Sequence, residues 1–201
     1  SDTGEATVNS PLTFTAANWN TPQTVTVTGV NDGSVVDGNQ TSTVTVSIDD
    51  NNSNNSFDPL ADQTVSVTTT DNDIPGFTVA ESSGSTSVNE SGTTDTFTVV
   101  LNAQPTSDVL LSLAASDATE ASVTSSLTFT PANWDTAQTA TVTGLDESTV
   151  DGDQTSTITI SIVDAVSNDS FDPVADQTVS VSTVDNDTAG FTVVQTSGST
   201  S

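Results

Sequence analysis

Thr157-Ile158-Thr159-Ile160-Ser161-Ile162 alternates a large aliphatic residue with a small hydroxyl residue at every step. A period of two places the three isoleucines on one face of an extended strand and the hydroxyls on the other, whereas a helix repeats its apolar positions every three or four residues. β-branched residues also favour the pleated backbone. The stretch reads as a strand with one buried and one wet face.

The same alternation extends outward in both directions. Phe77 with Val79, then Phe97, Val99 and Leu101, then Val109, Leu111 and Leu113 give three strands upstream. Leu127 with Phe129, Ala140 with Val142, and Val179 with Val181 complete a set of seven, separated by clusters of Asp, Asn, Gly and Ser. Seven short strands at this spacing predict an all-β fold, an antiparallel sandwich of immunoglobulin type with a Thr-rich exposed face on each sheet.

Self-comparison shows that the pattern occurs in tandem. Leu12-Thr13-Phe14-Thr15 returns as Leu127-Thr128-Phe129-Thr130, and Asn18-Trp19-Asn20 as Asn133-Trp134-Asp135, both at an offset of 115. Val36-Asp37-Gly38 matches Val150-Asp151-Gly152 at an offset of 114, which places a one-residue deletion in the loop after Gly144. Thr70-Asp71-Asn72-Asp73 and Val184-Asp185-Asn186-Asp187 keep that second offset, and each leads into a Gly-Phe-Thr-Val start.

A period of this length is a domain rather than a solenoid repeat, so each complete unit is expected to have its own core. In this register residues 1–73 form an N-terminally truncated sandwich module, 74–76 a hinge, and 77–187 a complete module. Residues 188–201 are a second hinge and the opening strand of a third module, built on Phe191-Thr192-Val193-Val194. The sequence reads as a window on a longer array.

The formal net charge is −27, and the 201 residues include no Lys, Arg or His. Nothing can replace the counterions around phosphate, which excludes the usual electrostatics of nucleic-acid and anionic-membrane binding. Charged partners should be cations. Cysteine is absent, so there is neither a disulfide framework nor a thiol site. No apolar run has the length of a membrane span, and even Val109 to Ala115 contains a serine.

Asp, Asn and Gly loops in such a chain suit calcium, which takes about six to eight oxygens at roughly 2.3 to 2.6 Å. For any single Asp, strand termination and turn formation are the simpler reading. For Asp71, Asp73, Asp185 and Asp187, repeated at a short hinge with no side-chain cation to compete, metal is the better one. Asp58 and Asp172 read as turn formers, Asp62 and Asp176 as solvated strand entries or a second, weak cation site, and Asn51 to Asn55 as a loop. Trp19 and Trp134, at a fixed turn position beside Phe14 and Phe129, are expected to plug the end of each sandwich rather than to stack on a sugar.

Glu90 in Ser-Val-Asn-Glu, the segment Ser116 to Ala121, the Leu127-Thr128-Phe129 strand, Thr141 to Glu147, the Val150-Asp151-Gly152-Asp153 loop and the terminal Asp-Asn-Asp follow a recognisable order. Essentially the whole chain resembles Calx-beta domains, and in particular the divergent Calx-beta-like repeats found in tandem in very large bacterial surface and secreted proteins of adhesin type. The chain departs from the family at Ser156, where an aromatic is usual, and at Gln40 and Gln154, where an acid is favoured. The resemblance implies a seven-stranded sandwich whose acidic loops gather at one end and bind Ca2+. Carried over by position, the ligands are Glu90, Asp117, Asp146, Asp151, Asp185 and Asp187 in the complete module. In the first module they are Asp2, Asp32, Asp37, Asp71 and Asp73. One or two ions per joint are expected.

Catalysis has little to work with. Without His, Cys, Lys or Tyr, a Ser or Thr nucleophile lacks its customary base, and a carboxylate pair of the glycosidase kind is better explained as metal ligands. The chain is therefore expected to be no enzyme but a structural spacer of a long extracellular adhesin or surface fibre, secreted to the cell surface and rigidified by calcium at the acidic loops. Its partners are then neighbouring repeats of the same chain and lateral or end-to-end copies of itself, with neither nucleic acid nor direct membrane insertion. The alternatives are a glycan- or ligand-binding module using Trp19 and Trp134 or calcium-bridged hydroxyls, and a filament subunit that assembles by strand exchange. Lysine-based isopeptide cross-links are impossible.

Overall fold

The computed structural model describes residues 2–194, and the chain divides into two compact units between Ile74 and Pro75. Each is a sandwich of hydrogen-bonded sheets, but only the second has two full layers.

In the first unit β1 (Ala6–Val8) pairs with β2 (Val27–Gly29), and β3 (Gln40–Val46) with β4 (Gln63–Thr69), all antiparallel. In the second unit β5 (Phe77–Glu81), β6 (Thr86–Asn89), β7 (Thr94–Leu101), β8 (Val109–Ala115) and β9 (Ala121–Val123) are followed by β10 (Ser126–Phe129), β11 (Gln138–Gly144), β12 (Gln154–Ile162) and β13 (Gln177–Val184). They form one sheet in the order β10-β8-β12-β13-β6 and another in the order β9-β11-β7-β5. The fold is an all-β sandwich.

The period-two strands lie where their patterning puts them. Ile158 and Ile160 of β12 are fully buried between the sheets, as are Phe97 and Val99 of β7 and Leu111 of β8. Phe129 of β10 and Phe171, on a short 3-10 turn, close the same core. Register follows from burial: Ile158 lies opposite Val179, and Leu113 opposite Ile160, because a slip by one residue would turn every apolar side chain outward.

The structure differs from the sequence expectation in four places. First, the sandwich is not wholly antiparallel. After β5 the chain leaves its sheet, runs through β6 parallel to β13 with Asn89 opposite Val184, and returns as β7. Thr86-Ser87-Val88-Asn89 carries a single buried aliphatic, too little for an alternation signal, yet this crossing sets Glu90 beside the end of β13. The three-residue β9 was likewise below the reach of periodicity.

Second, Leu12-Thr13-Phe14 is not a strand, although its copy Leu127–Phe129 lies within β10. β10 exists by pairing with β8, and the first unit has no counterpart of β8 among its described residues. Third, Trp19 plugs nothing: it is 71% exposed, whereas Trp134 is half-buried and its carbonyl accepts from the Leu101 N–H at 3.1 Å. Leu101 belongs to β7, which likewise has no counterpart among the described residues of the first unit. Fourth, residues 188–194 form no strand; the remainder of the expected third-module start, 195–201, lies outside the described residues. No helix among the described residues is long and apolar enough to cross a membrane.

Candidate metal centre

The acidic residues of the second unit converge where β13 ends. Beyond Val184 the backbone is held by three reciprocal contacts. Gly152 donates its N–H to Asp185 Oδ2 at 2.8 Å, Asp187 donates to Asp185 Oδ1 at 2.6 Å, and Asp185 donates to Asp153 Oδ1 at 3.2 Å. Gly152 has φ of 80°, a conformation that side chains rarely adopt, so the turn requires glycine.

Glu90 enters from the other side. Its N–H donates to the Val184 carbonyl at 3.2 Å, and its Oε2 accepts the Asn186 N–H at 3.0 Å. A third loop follows β11, and Gly144 makes its approach possible: a Cβ there would overlap the Asn89 carbonyl oxygen. Leu145 donates to the Glu120 carbonyl at 2.9 Å, which ties in the loop before β9.

Two groups of carboxylate oxygens result, both including Glu90. Glu90, Asp185 and Asp187 each contribute one oxygen within 4.8 Å of the others, and Glu90, Glu147 and Asp151 do the same. Ligands on opposite sides of a calcium ion are about 4.6 to 5.2 Å apart, so both groups have the right dimension for one.

Several of these polar atoms have no hydrogen-bond partner. Glu90 is 1% exposed and Glu120 6%, and neither Glu90 Oε1 nor Glu120 Oε2 has a hydrogen-bond partner. Glu147 Oε1 and Asp187 Oδ2 are buried and equally unpartnered. Buried carboxylate oxygens ordinarily have donors, and this chain has no cationic side chain to supply them.

Their proton affinities record the crowding. The Asn186 N–H pulls the Glu90 pKa down, but burial together with Asp185, Glu147 and Asp187 overcomes it and leaves the group raised. Burial, then Asp151, Asp117, Glu90 and Glu147, raises Glu120. Burial, then Asp185, Glu147 and others, raises Asp187. Asp185 goes the other way, held down first by the Asp187 N–H and then by that of Gly152. A divalent ion held by these groups would favour the ionised forms of Glu90 and Asp187.

Of the residues expected as ligands, the structure therefore gathers Glu90, Asp151, Asp185 and Asp187. Asp117 and Asp146 stand outside both groups. Asp117 Oδ1 accepts from the Thr119 N–H at 2.9 Å and from its hydroxyl at 2.6 Å, closing a turn. Asp146 Oδ1 accepts from Asn186 Nδ2 at 3.4 Å.

In the first unit Asp32 and Asp37 meet Glu5, with oxygens within 4.8 Å of one another. Asp71, Asp73 and Asp2 are not in that group. Asp71 repeats the clasp of its copy, accepting from Gly38 and from Asp73 at 2.8 Å each. Asp73 Oδ2 is buried without a partner, and its pKa is raised by burial and then by Asp71, Asp32 and Asp37. Asp2 Oδ1 accepts from the Gly4 N–H at 2.9 Å, and Asp2 adds to the charge that, after burial, Asp37 and Asp32, raises Glu5. The group centres on Glu5 because no counterpart of Glu90 is present among the described residues.

Sequence reasoning missed Glu147, Glu120 and Glu5. Glu147 is next to a chosen residue, and Glu5 and Glu120 occupy the same repeat position, a signal as good as that of the chosen aspartates.

No protein-family model and no curated protein matches the chain. Among solved structures, the apo form of the Calx CBD1 domain is similar over 55% of this chain and 98% of its own, at 17% identity and a TM-score of 0.39. Domains 4 and 5 of the S-layer protein SbsC are similar over 61% of this chain and 59% of theirs, at 23% identity and a TM-score of 0.37. A longer structure of that surface layer protein, domains 1–6, is similar over 80% of this chain and 17% of its own, at 20% identity and a TM-score of 0.41. Likeness at this level concerns the β-sandwich trace alone.

Proposed function

We propose that the chain is a calcium-binding structural repeat, a spacer in a long extracellular adhesin or surface fibre. The observation that carries the reading is the convergence of Glu90, Glu147, Asp151, Asp185 and Asp187 around buried oxygens that no protein donor satisfies. Calcium supplies that charge. Its flexible coordination tolerates loops, whereas magnesium demands a near-octahedral shell and gives up water reluctantly.

The mechanical consequence lies in the chain path. Asp185 and Asp187 sit on the backbone that leaves the sandwich, while Glu90, Glu147 and Asp151 come from inside it. An ion held by both sets pins that exit segment to the body of the module, and repeated along an array this gives a stiff, extended polypeptide. Affinity need not be high: extracellular sites commonly bind at about 10⁻⁴ to 10⁻³ M. Free calcium at about a hundred times the dissociation constant stabilises by about 2.7 kcal/mol.

The test is a thermal melt of the chain in calcium, in magnesium and in chelator. Calcium should raise the midpoint by several degrees and magnesium by less. Identical melting in calcium and chelator would sink the proposal.

A further inference from the structure

The loop that leads into β12 carries its first aspartate into an acid group, and the matching loop before β3 does the same. Asp151 joins Glu90 and Glu147, and its repeat counterpart Asp37 joins Glu5 and Asp32. Between that aspartate and the strand the backbone turns at a left-handed glycine, with φ of 80° at Gly152 and 73° at Gly38. Each glycine donates its N–H to the exit aspartate, Asp185 or Asp71. The following side chain, Asp153 or Asn39, accepts the N–H of that same aspartate.

A further contact is made by the residue that opens the strand. Gln154 Nε2 donates to the Asp151 carbonyl at 3.3 Å, and Gln40 Nε2 donates to the Asp37 carbonyl at 2.8 Å. Gln154 is paired with Thr183 in the sheet, and Gln40 with Thr69, so each amide is based on a strand residue and reaches back over the turn. The donor has to be neutral. A side chain that ties a carbonyl must donate, and this chain has no Lys, Arg or His to do so. A glutamate of the same length would offer only acceptors to that carbonyl and would add another negative charge beside the acid group.

We propose that Gln154 and Gln40 are positioning residues of the two acid groups. Each ties the carbonyl of the loop's first aspartate to the strand and so fixes that aspartate's carboxylate for a cation, without adding charge. The inference rests on the calcium reading for its ion and on the two hydrogen bonds for its geometry. Gln138 supplies the contrast: its Nε2 donates to the Thr128 carbonyl at 2.7 Å, at the end of β11 opposite to Gly144 and the acids.

The experiment compares the full chain with its Gln154→Met, Gln40→Met and Gln138→Met variants, since methionine keeps the length and removes the donor. In chelator, amide exchange at Gly152 in the first variant and at Gly38 in the second should quicken about fivefold, the scale of one net hydrogen bond. Calcium affinity of the altered unit, read by calorimetry, should fall about tenfold, the low end for an outer partner of a metal ligand. Gln138→Met should lower the melting midpoint and change neither readout. Gln154→Glu should quicken exchange at Gly152 as the methionine does and should lower the metal-free midpoint further. Unchanged exchange at both glycines would overturn the proposal, and so would quickened exchange with the parental calcium affinity, which would leave the glutamines a structural role alone. Absence of calcium binding by the parent chain would instead overturn the calcium reading, and the positioning of an ion with it, while exchange in chelator still decides whether the glutamines hold the loops.

Discussion

Gly152 donates its N–H to Asp185 Oδ2 at 2.8 Å, and Gly38 donates to Asp71 Oδ2 at the same distance. The clasp is reproduced in both units, although the second has nine strands and the first only four among its described residues in these sheets. It is therefore local in origin, made by a left-handed glycine and an acidic residue at the strand exit. The other oxygen of each aspartate accepts a further N–H, from Asp187 and Asp73. These carboxylates work first as anchors of the backbone.

Asp185→Asn tests that role. The amide keeps one accepting oxygen where two N–H groups now point, and its own N–H group faces one of them. Melting midpoints should fall in calcium and in chelator alike, because the loss belongs to the metal-free fold. A loss confined to calcium would show that Asp185 acts only as a ligand.

Glu90→Gln should behave in the opposite way. Its remaining oxygen can still accept from Asn186, while the new amide can donate to Asp187 or Glu147, whose buried oxygens have no partner. The midpoint in chelator should rise, and calcium affinity measured by calorimetry should weaken by roughly tenfold or more, at least the scale of losing an outer partner of a metal ligand. A lower midpoint in chelator would mean that crowding among these acids does not limit the metal-free fold.

The sandwich was legible because burial imposes period two on strands such as Ile158 to Ile162, and the repeat was legible because it needs no structural reading. What escaped was whatever depends on a partner strand. Leu12-Thr13-Phe14 and Leu127-Thr128-Phe129 are identical, yet only the second is a strand, since pairing with β8 decides it. The acidic end was legible in outline from the Asp-Asn-Asp exits. The sorting of its members was not: Asp117 spends its oxygen on Thr119, while Glu147 is drawn in by a loop whose path depends on the approach of Gly144 to Asn89.

That approach gives a paired prediction. Gly144→Ala forces a methyl group into the Asn89 carbonyl and must displace the loops bearing Glu90 and Glu147, so it should both lower the midpoint of the second unit and weaken calcium binding there. Gly29→Ala, at the counterpart position, meets only Thr69 Cγ2 at 3.7 Å and should leave the midpoint nearly unchanged. Separate calorimetric transitions for the two variants check it; equal losses would refute the close packing of Gly144.

The pH dependence follows from which acids hold protons more tightly when folded. Glu90 and Glu120 are raised from the ordinary 4.5, and Asp187 from 3.8. Metal-free stability should therefore fall as pH rises from those values through the higher folded ones, because the folded state must give up protons that the unfolded state has already lost. Asp95 is lowered from 3.8, first by the Ser87 N–H and then by Thr96 and Ser82, and Asp117 and Asp185 are lowered as well. Their contribution is present above 3.8 and is lost as pH falls through their lower folded values. In chelator the midpoint should peak in the ordinary carboxylate range and decline toward neutral pH. Saturating calcium should remove most of the decline on the neutral side, since it favours the ionised form of the raised acids Glu90 and Asp187 that would bind it. A chelator profile that climbs steadily from pH 5 to 7 would show that the buried acids carry no such strain.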